Sequence, residues 1–181
     1  MKKTALLTSF FVFGWMIINA QKKGAFELSA GPEIGESVGS NFKNSVFAWG
    51  FGGGLRVQAE YFLLKNFSAF VTAGYIVYQG RTVNGSYPLN NLKTVPIGGG
   101  VQYYQGKHFH AGMQVGIGIV QLNDALLGPL INGNTLYYAP QIGYRCRIFK
   151  KKSIDIVIRY DDYSYTNADF GAMGLKVAYI F

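Results

Sequence analysis

Residues 108–119 read His-Phe-His-Ala-Gly-Met-Gln-Val-Gly-Ile-Gly-Ile, and this stretch is the most informative in the chain. Apolar side chains occupy every second position from Phe109 to Ile119, whereas His, Gly and Gln occupy the positions between them. Successive side chains of a β-strand point to opposite faces of the sheet. The alternation therefore predicts a strand with one wholly apolar face and one polar, glycine-rich face.

The same period of two recurs on both sides of this stretch. Seven further segments show it, at residues 25–35, 49–62, 67–79, 93–104, 135–148, 154–160 and 170–181. In the last of them Met173, Leu175 and Val177 alternate with smaller or polar residues. The pattern predicts an all-β chain of eight antiparallel strands.

The connections between these segments alternate in length. Short ones are expected around residues 65–66, 105–107 and 150–152, and longer ones at residues 36–48, 80–92, 122–134 and 161–169. Short turns at one end and longer loops at the other are typical of an up-and-down barrel of the bacterial outer membrane. Both ends of the mature chain are then expected in the periplasm.

The N-terminal segment is organised as a secretory signal peptide. Lys2 and Lys3 precede an apolar run from Ala5 to Ile18, and Ala20 precedes the expected cleavage site at Gln21. The run is shorter than the ~18 to 20 residues that span a bilayer as a helix. We expect residues 1–20 to be removed on export and residues 21–181 to form one barrel domain.

The composition indicates where the barrel lies. Charged residues make up 14% of the chain, against roughly 25% in ordinary globular domains. After the signal, no apolar stretch is long enough for a helical membrane span. Within lipid a closed barrel is the other structure that pairs every backbone N–H and C=O group. The sequence therefore predicts a transmembrane β-barrel of the outer membrane in a Gram-negative bacterium, with membrane lipid around it.

The excess of positive charge does not indicate a nucleic-acid partner. The formal net charge is +8, and without Lys2 and Lys3 it is +6. The basic residues are spread along the chain, and several fall in the predicted short turns, at Lys65, Lys107 and 150–152. We expect them to form a solvated rim near lipid headgroups.

The signal sequence, the eight alternating segments and the terminal ladder Val177, Tyr179 and Phe181 resemble the small outer-membrane barrels of the OmpA-transmembrane and OmpX type. The resemblance covers the whole mature chain and rests on pattern. In that family a terminal aromatic residue, with apolar residues at alternate positions before it, is read by the barrel-assembly machinery. The resemblance implies the same signal at these three residues.

Charged residues on the non-lipid faces are predicted to point into the barrel. Eight strands leave an interior that side chains just fill, so no wide pore is expected. Charges in such a space must pair or meet water, and we expect a structural network built from Glu27, Glu33, Arg56, Glu60, Arg145, Asp155, Arg159 and Lys176. A hairpin centred on Lys150 places Arg145 opposite Asp155, where their charges should meet.

Other motifs give no catalytic, cofactor or metal site. His108 and His110 lie two apart and are expected on one inward face, but two ligands are too few for a metal. The glycine clusters at 52–54 and 98–100 are followed by no helix, so they are expected to ease crowding in the barrel and not to hold phosphate. Cys146 shares a face with Ile142 and is expected to point to lipid.

The expected role is structural, adhesive or ligand-binding, through outer loops that contact an extracellular ligand or protein. Candidate loop segments are 84–87, 125–131, 132–134 and 164–167. Two alternatives remain open at this point. One is a soluble lipocalin-like carrier with apolar residues inside, and the other is an outer-membrane enzyme that modifies lipid. The enzyme is less favoured, because its chemistry needs a His beside Ser and an acid near the outer face, and both His follow a short turn.

Overall fold

Eight antiparallel strands close into a single barrel in the computed structural model, which describes residues 23–38, 49–83, 87–88, 90–123, 132–149, 152–164 and 169–181. In chain order the strands are β1 Phe26–Ser37, β2 Trp49–Leu64, β3 Phe67–Gly80, β4 Leu92–Gln105, β5 Phe109–Leu122, β6 Gly133–Phe149, β7 Lys152–Ser164 and β8 Asp169–Ile180. Each strand pairs with the next, and β1 pairs with β8 to close the sheet. The predicted up-and-down barrel of eight strands is confirmed, while the predicted signal segment 1–20 lies outside the described residues.

The two ends of the barrel differ in their connections. The β2–β3 turn is Lys65–Asn66 and the β4–β5 turn is Gly106–His108; we call this the turn end. Lys23 and Phe181 lie at the same end, because β1 begins and β8 ends there. At the opposite end, the loop end, a short ladder of Thr82–Val83 and Tyr87–Pro88 extends the β3–β4 connection.

One strand boundary was predicted wrongly. The loop expected to begin at Asp161 begins later, because β7 continues to Ser164. Asp161 keeps the inward alternation and is buried, and Asp162 lies half-buried within the strand opposite Tyr138. Two adjacent aspartates resemble a loop in sequence, but the first of them is held in the strand by arginine partners inside the barrel.

Apolar side chains cover the outside of the barrel and charged ones lie inside. Leu55, Val57, Val71, Val115 and Ile117 are each about half exposed or more. The inward positions hold Arg56, Arg159, Glu33 and Lys176, all of them almost fully buried. This arrangement is the reverse of a lipocalin-like carrier, whose apolar residues point inward, so that alternative is wrong.

Aromatic rings border the apolar surface at both ends. Toward the turn end the outward rings are those of Phe26, Tyr61, Tyr103, Phe109, Tyr144, Tyr179 and Phe181, and toward the loop end those of Phe51, Tyr75, Tyr138 and Tyr160. From Phe51 to Tyr61 along β2, a rise of ~3.3 Å per residue at a tilt of about 40° gives a height of roughly 25 Å. Transmembrane barrels have an apolar band of about this height between two aromatic girdles.

The loop end of the interior is apolar, which the alternation did not predict. A buried cluster fills it, made of Ile76, Tyr78, Leu92, Val120, Leu122, Tyr137, Ala139, Tyr163, Phe170 and Ala172. The rings of Tyr78 and Phe170 meet edge to face at 5.1 Å. Both faces of β3 carry large apolar residues here, so a period of two in hydrophobicity cannot show which face is inside. No helix able to cross a bilayer is found in the part of the chain that the structure describes.

Close strand packing leaves no room for a side chain at several glycines, of which Gly54 is one. A Cβ atom at Gly54 would overlap the carbonyl oxygen of Tyr75 and lie 2.7 Å from Cα of Ile76 on β3. At its neighbour Gly53 the nearest atom, the carbonyl oxygen of Glu33, would be 3.9 Å away. The two positions therefore form a matched pair on one strand.

We expect Gly54→Ala to lower the free energy of unfolding by roughly 1–3 kcal/mol, because the backbone of β3 has to shift. Gly53→Ala should change it by less than about 0.5 kcal/mol, as for surface substitutions in general. Urea unfolding of the refolded barrel measures both. Equal stability of the two variants would contradict the strand packing described here.

Candidate functional site

The charged interior of the barrel is built around three arginines. Arg56 on β2 is fully buried and forms a bidentate ion pair with Glu33 on β1, donating to both carboxylate oxygens. Its guanidinium also donates to Asp161 at 3.2 Å and to the hydroxyl of Tyr137 at 3.1 Å. One guanidinium thus ties together strands on opposite sides of the lumen.

Arg159 on β7 shares two of these partners. Its Nε donates to Asp161 at 2.7 Å, and its Nη2 donates to the hydroxyl of Tyr137. Two glutamines also accept from Arg159, with Gln114 at 3.0 Å and Gln141 at 3.4 Å. Asp161, placed between two arginines, balances part of their charge in a region that water does not reach.

Arg145 on β6 organises a second cluster nearer the turn end. It donates to Glu27 at 2.8 Å and to Glu60 at 3.1 Å. The hydroxyl of Tyr104 accepts from Arg145 at 2.8 Å and donates to Glu60 at 2.7 Å. Ser68 also donates to Glu60, so this carboxylate has several donors around it.

Glutamine side chains join the two clusters. Gln141, which accepts from Arg159, donates to Gln102 at 2.8 Å, and Gln102 donates to the hydroxyl of Tyr104 at 2.7 Å. An amide can accept and donate at once, so it transmits a hydrogen-bonded chain between charged groups of either sign. The clusters therefore form one connected network along the lumen.

Two further polar pairs lie beside this network. His110 Nε2 is 2.8 Å from Asp155 Oδ1, and both side chains are buried. Lys176 donates to Gln58 at 2.9 Å from an almost fully buried position. All of these groups fill the space in the middle and turn-end portions of the barrel, below the apolar cluster.

The structure places each of the seven lumen residues chosen from sequence, as well as Glu33, inside the barrel: Glu27, Arg56, Glu60, Arg145, Asp155, Arg159 and Lys176. Arg145 lies opposite Asp155 in the β6–β7 ladder, as the turn position predicts. The expected contact between them is not the one formed, because Arg145 reaches across the lumen to Glu27 and Glu60 while Asp155 bonds to His110.

Several members of the network were missed in the sequence. Asp161, Tyr104 and Tyr137 each contact an arginine. Gln102 and Gln141 bridge the two clusters, and Gln114 accepts from Arg159. The sequence predicts a loop at Asp161, and residue type alone does not distinguish the two tyrosines from the outward aromatic rings. Inward parity along each strand is the signal that would have found them.

The predicted common face of the two histidines is wrong. His108 belongs to the β4–β5 turn, is exposed, and stacks its ring on outward-facing Tyr144 at a centroid distance of 5.5 Å. Its Nδ1 lies 2.7 Å from the carbonyl oxygen of Arg145. Among the described residues, no group of three or more His, Cys, Asp or Glu side chains could hold a metal ion.

The other candidate residues that the structure describes lie on the outward face of the barrel. Cys146 is half-exposed and lies opposite Ile154 on the outward face. Val177 and Phe181 face outward near the turn end, and the rings of Tyr179 and Phe181 meet at 5.0 Å. The loop segments 84–86, 125–131 and 165–167 lie outside the described residues.

Solved structures of small outer-membrane barrels share this fold. OprG from Pseudomonas aeruginosa is 12% identical with a TM-score of 0.55, over 91% of this chain and 99% of that one. Neisserial surface protein A (NspA) is 14% identical with a TM-score of 0.58, over 88% of this chain and 98% of that one. Ail of Yersinia pestis, solved with the heparin analogue sucrose octasulfate, is 12% identical with a TM-score of 0.55, over 88% of this chain and 100% of that one. No protein-family model matches the chain, and no curated protein matches it by sequence.

A set of double-mutant cycles tests which partners Arg145 has. We expect Arg145→Ala to destabilise the barrel by roughly 3–5 kcal/mol, because buried Glu60 and half-buried Glu27 lose their counter-charge. The cycle with Glu60→Gln should give a coupling of roughly 1–3 kcal/mol, and the cycle with Asp155→Asn less than about 0.5 kcal/mol. Urea unfolding of the four proteins in each cycle supplies the values.

The exposed pair of Arg81 and Glu36, 3.1 Å apart at the loop end, is the matched surface control. Its cycle should give about 0–1 kcal/mol. A larger coupling of Arg145 with Asp155 than with Glu60 would show that the ion pairs are not those described.

Proposed function

We propose that this chain is an exported outer-membrane protein whose barrel spans the bilayer and presents its loop end outside the cell. In this proposal residues 1–20 direct export, both mature termini lie in the periplasm, and the turn end faces the periplasm. The role is structural, adhesive or ligand-binding, and it is carried by the loops and not by the lumen.

The observation that supports this most strongly is the distribution of side chains. Buried charge fills the inside while a half-exposed apolar band covers the outside. In water such an exterior would expose an apolar surface far larger than the few hundred Å² that monomeric soluble proteins show. In a bilayer the same surface is solvated by acyl chains, and the aromatic rings at its borders lie at headgroup depth.

The lumen supports a role without a wide pore. The arginine network occupies the turn-end and central portions, and the apolar cluster occupies the loop end. Eight-stranded barrels have an interior that side chains just fill. A solute would have to displace paired charges and a packed apolar layer, so transport of large solutes is not part of the proposal.

Two arguments support the adhesive or binding role. The fold is shared with Ail, and the proposal includes neither transport of large solutes nor catalysis. Ail, one of the structural neighbours, is an attachment protein by name and was solved with a heparin analogue. The proposal includes no catalysis, because His110 is buried against Asp155 and His108 lies at the turn end. Arrays of glycans and proteins, probed with the refolded barrel, are the direct route to a ligand class.

Membrane insertion is tested by two lysine substitutions on one strand. Val57 lies midway along β2 and Leu64 lies at its turn-end limit, with exposed fractions of 54% and 53%. We expect Val57→Lys to cost roughly 2–4 kcal/mol in lipid vesicles, because it places a charge at the middle of the bilayer, and Leu64→Lys about 0–1 kcal/mol.

Urea unfolding from vesicles measures both variants. Because the two side chains are equally exposed, a barrel surrounded by water would tolerate both lysines to the same degree. Equal cost would therefore contradict membrane insertion.

The second test concerns the proposed assembly signal Val177, Tyr179 and Phe181. Phe181 also helps to close the barrel, since its N–H donates to the carbonyl oxygen of Leu28 at 3.0 Å. We expect Phe181→Ala, which keeps that backbone bond, to lower the amount of barrel in the outer membrane severalfold while export to the periplasm continues. Phe109→Ala removes an outward ring of the same belt and is the control. Fractionation of cells that carry each variant measures the effect, and equal insertion of the two would remove the assembly role.

A further inference from the structure

The turn end of the barrel carries a set of exposed positive side chains. They are Lys23 before β1, Lys65 in the β2–β3 turn, Lys107 in the β4–β5 turn, Arg147 near the end of β6 and Lys152 at the start of β7. We call these five the turn-end cations. The sequence adds Lys150 and Lys151 between β6 and β7, outside the described residues.

No exposed acidic side chain balances them in the part of the turn end that the structure describes. Glu60 and Asp155 are buried, and half-buried Glu27 is bound by Arg145. The loop end has both signs, because exposed Arg81 pairs with Glu36 and Lys93 lies at the same end as Asp162. Among the described residues, the exposed side chains of the turn end therefore carry an excess of positive charge, whereas those of the loop end carry both signs.

The turn-end cations lie at a defined depth relative to the aromatic belt. Lys152 places its Nζ 5.9 Å from the ring centroid of Tyr179, an outward ring of that belt. Lys65 follows Leu64 directly, and Lys107 precedes outward-facing Phe109 by two residues. Lys65, Lys107 and Lys152 thus lie where the apolar surface ends, which is where lipid phosphates lie when the belt is at the membrane interface.

We propose that the turn-end cations form a ring that binds the headgroups of anionic phospholipids in the leaflet at this end of the barrel. The inference rests on the membrane insertion proposed above and adds the class of lipid and the leaflet. A ring of fixed positive charge beside lipid phosphates lowers the free energy of anionic lipids next to the barrel. It also opposes movement of the turn end into the bilayer, because the cations would lose their headgroup partners.

The spread of the charges favours lipid over a protein partner. The cations occupy all of the turn-end hairpins and the start of β1, so they lie around the whole circumference. A bilayer surrounds a barrel on every side, whereas a protein partner contacts a patch on one side. An acidic periplasmic protein or polymer is the alternative that the experiment separates.

Cys146 provides a local probe for this end. It is half-exposed on the outward face of β6, and it is the only cysteine in the sequence. A fluorophore attached to Cys146 is quenched by spin-labelled lipids that lie beside the turn end. The barrel is refolded into phosphatidylcholine vesicles that contain a minority of either spin-labelled phosphatidylglycerol or spin-labelled phosphatidylcholine. Protection from added protease reports insertion independently.

We expect anionic lipid to be enriched roughly fivefold beside the probe, the equivalent of about 1 kcal/mol for a lysine near the lipid surface. The double variant K107Q/K152Q, whose lysines flank β6, should reduce the ratio toward one, and so should high salt. The matched variant R81Q/K93Q removes the same charge from the loop end and should leave the ratio unchanged.

Each other outcome is decisive. Equal quenching by both lipids in a protected, inserted barrel would overturn the inference, and this is also the result if the ring binds an acidic protein or polymer instead. A preference that K107Q/K152Q leaves intact would overturn it as well. Absence of both protease protection and quenching in every vesicle would instead overturn the membrane insertion on which the inference rests.

Discussion

Removing arginine and lysine from water inside an eight-stranded barrel is the constraint on which the rest of the structure depends. A buried ion without partners costs several kcal/mol or more, and the narrow lumen leaves little room for a hydration shell. Arg56, Arg159 and Arg145 each have at least two acceptors, drawn from several strands. The guanidinium group suits this position, because its donors fan out in a plane and can bind carboxylates on different strands at once.

The filled lumen divides the barrel into zones with different physical characters. The turn-end and central interior is held by directional ionic hydrogen bonds, and the loop-end interior is held by apolar packing around Tyr78, Tyr163 and Phe170. The outer apolar surface is held by neither kind of interaction. Its free energy is lowest when lipid surrounds it. A molecule built in this way offers a partner its loops and its rims, because its inside is occupied.

Strand count, strand faces and the register that places Arg145 opposite Asp155 could be predicted, because each follows from local rules. A period of two assigns faces, and a short turn assigns the opposite residue on the neighbouring strand. The ion pairs could not be predicted, because a long side chain in a narrow lumen reaches past its neighbours. Arg145 on β6 meets Glu27 on β1 and Glu60 on β2, and no rule of adjacent pairing connects those strands. The predictions of an inward His108 and of a loop at Asp161 were wrong for a related reason. The end of a strand is decided by contacts with residues far away in the sequence.

The closure of the sheet has a consequence for how the molecule forms. β1 pairs with β8, and two lumen hydrogen bonds, from Arg145 to Glu27 and from Lys176 to Gln58, each join residues 118 positions apart. Forming contacts of such long range costs the entropy of loop closure before the contacts stabilise the chain, which makes folding slow. Until β8 arrives, β1 has an unpaired edge, which is able to pair with other chains. The β1–β8 seam and the lumen hydrogen bonds across it therefore form late, and together they remove the free edge on which the unfinished barrel could pair with another chain.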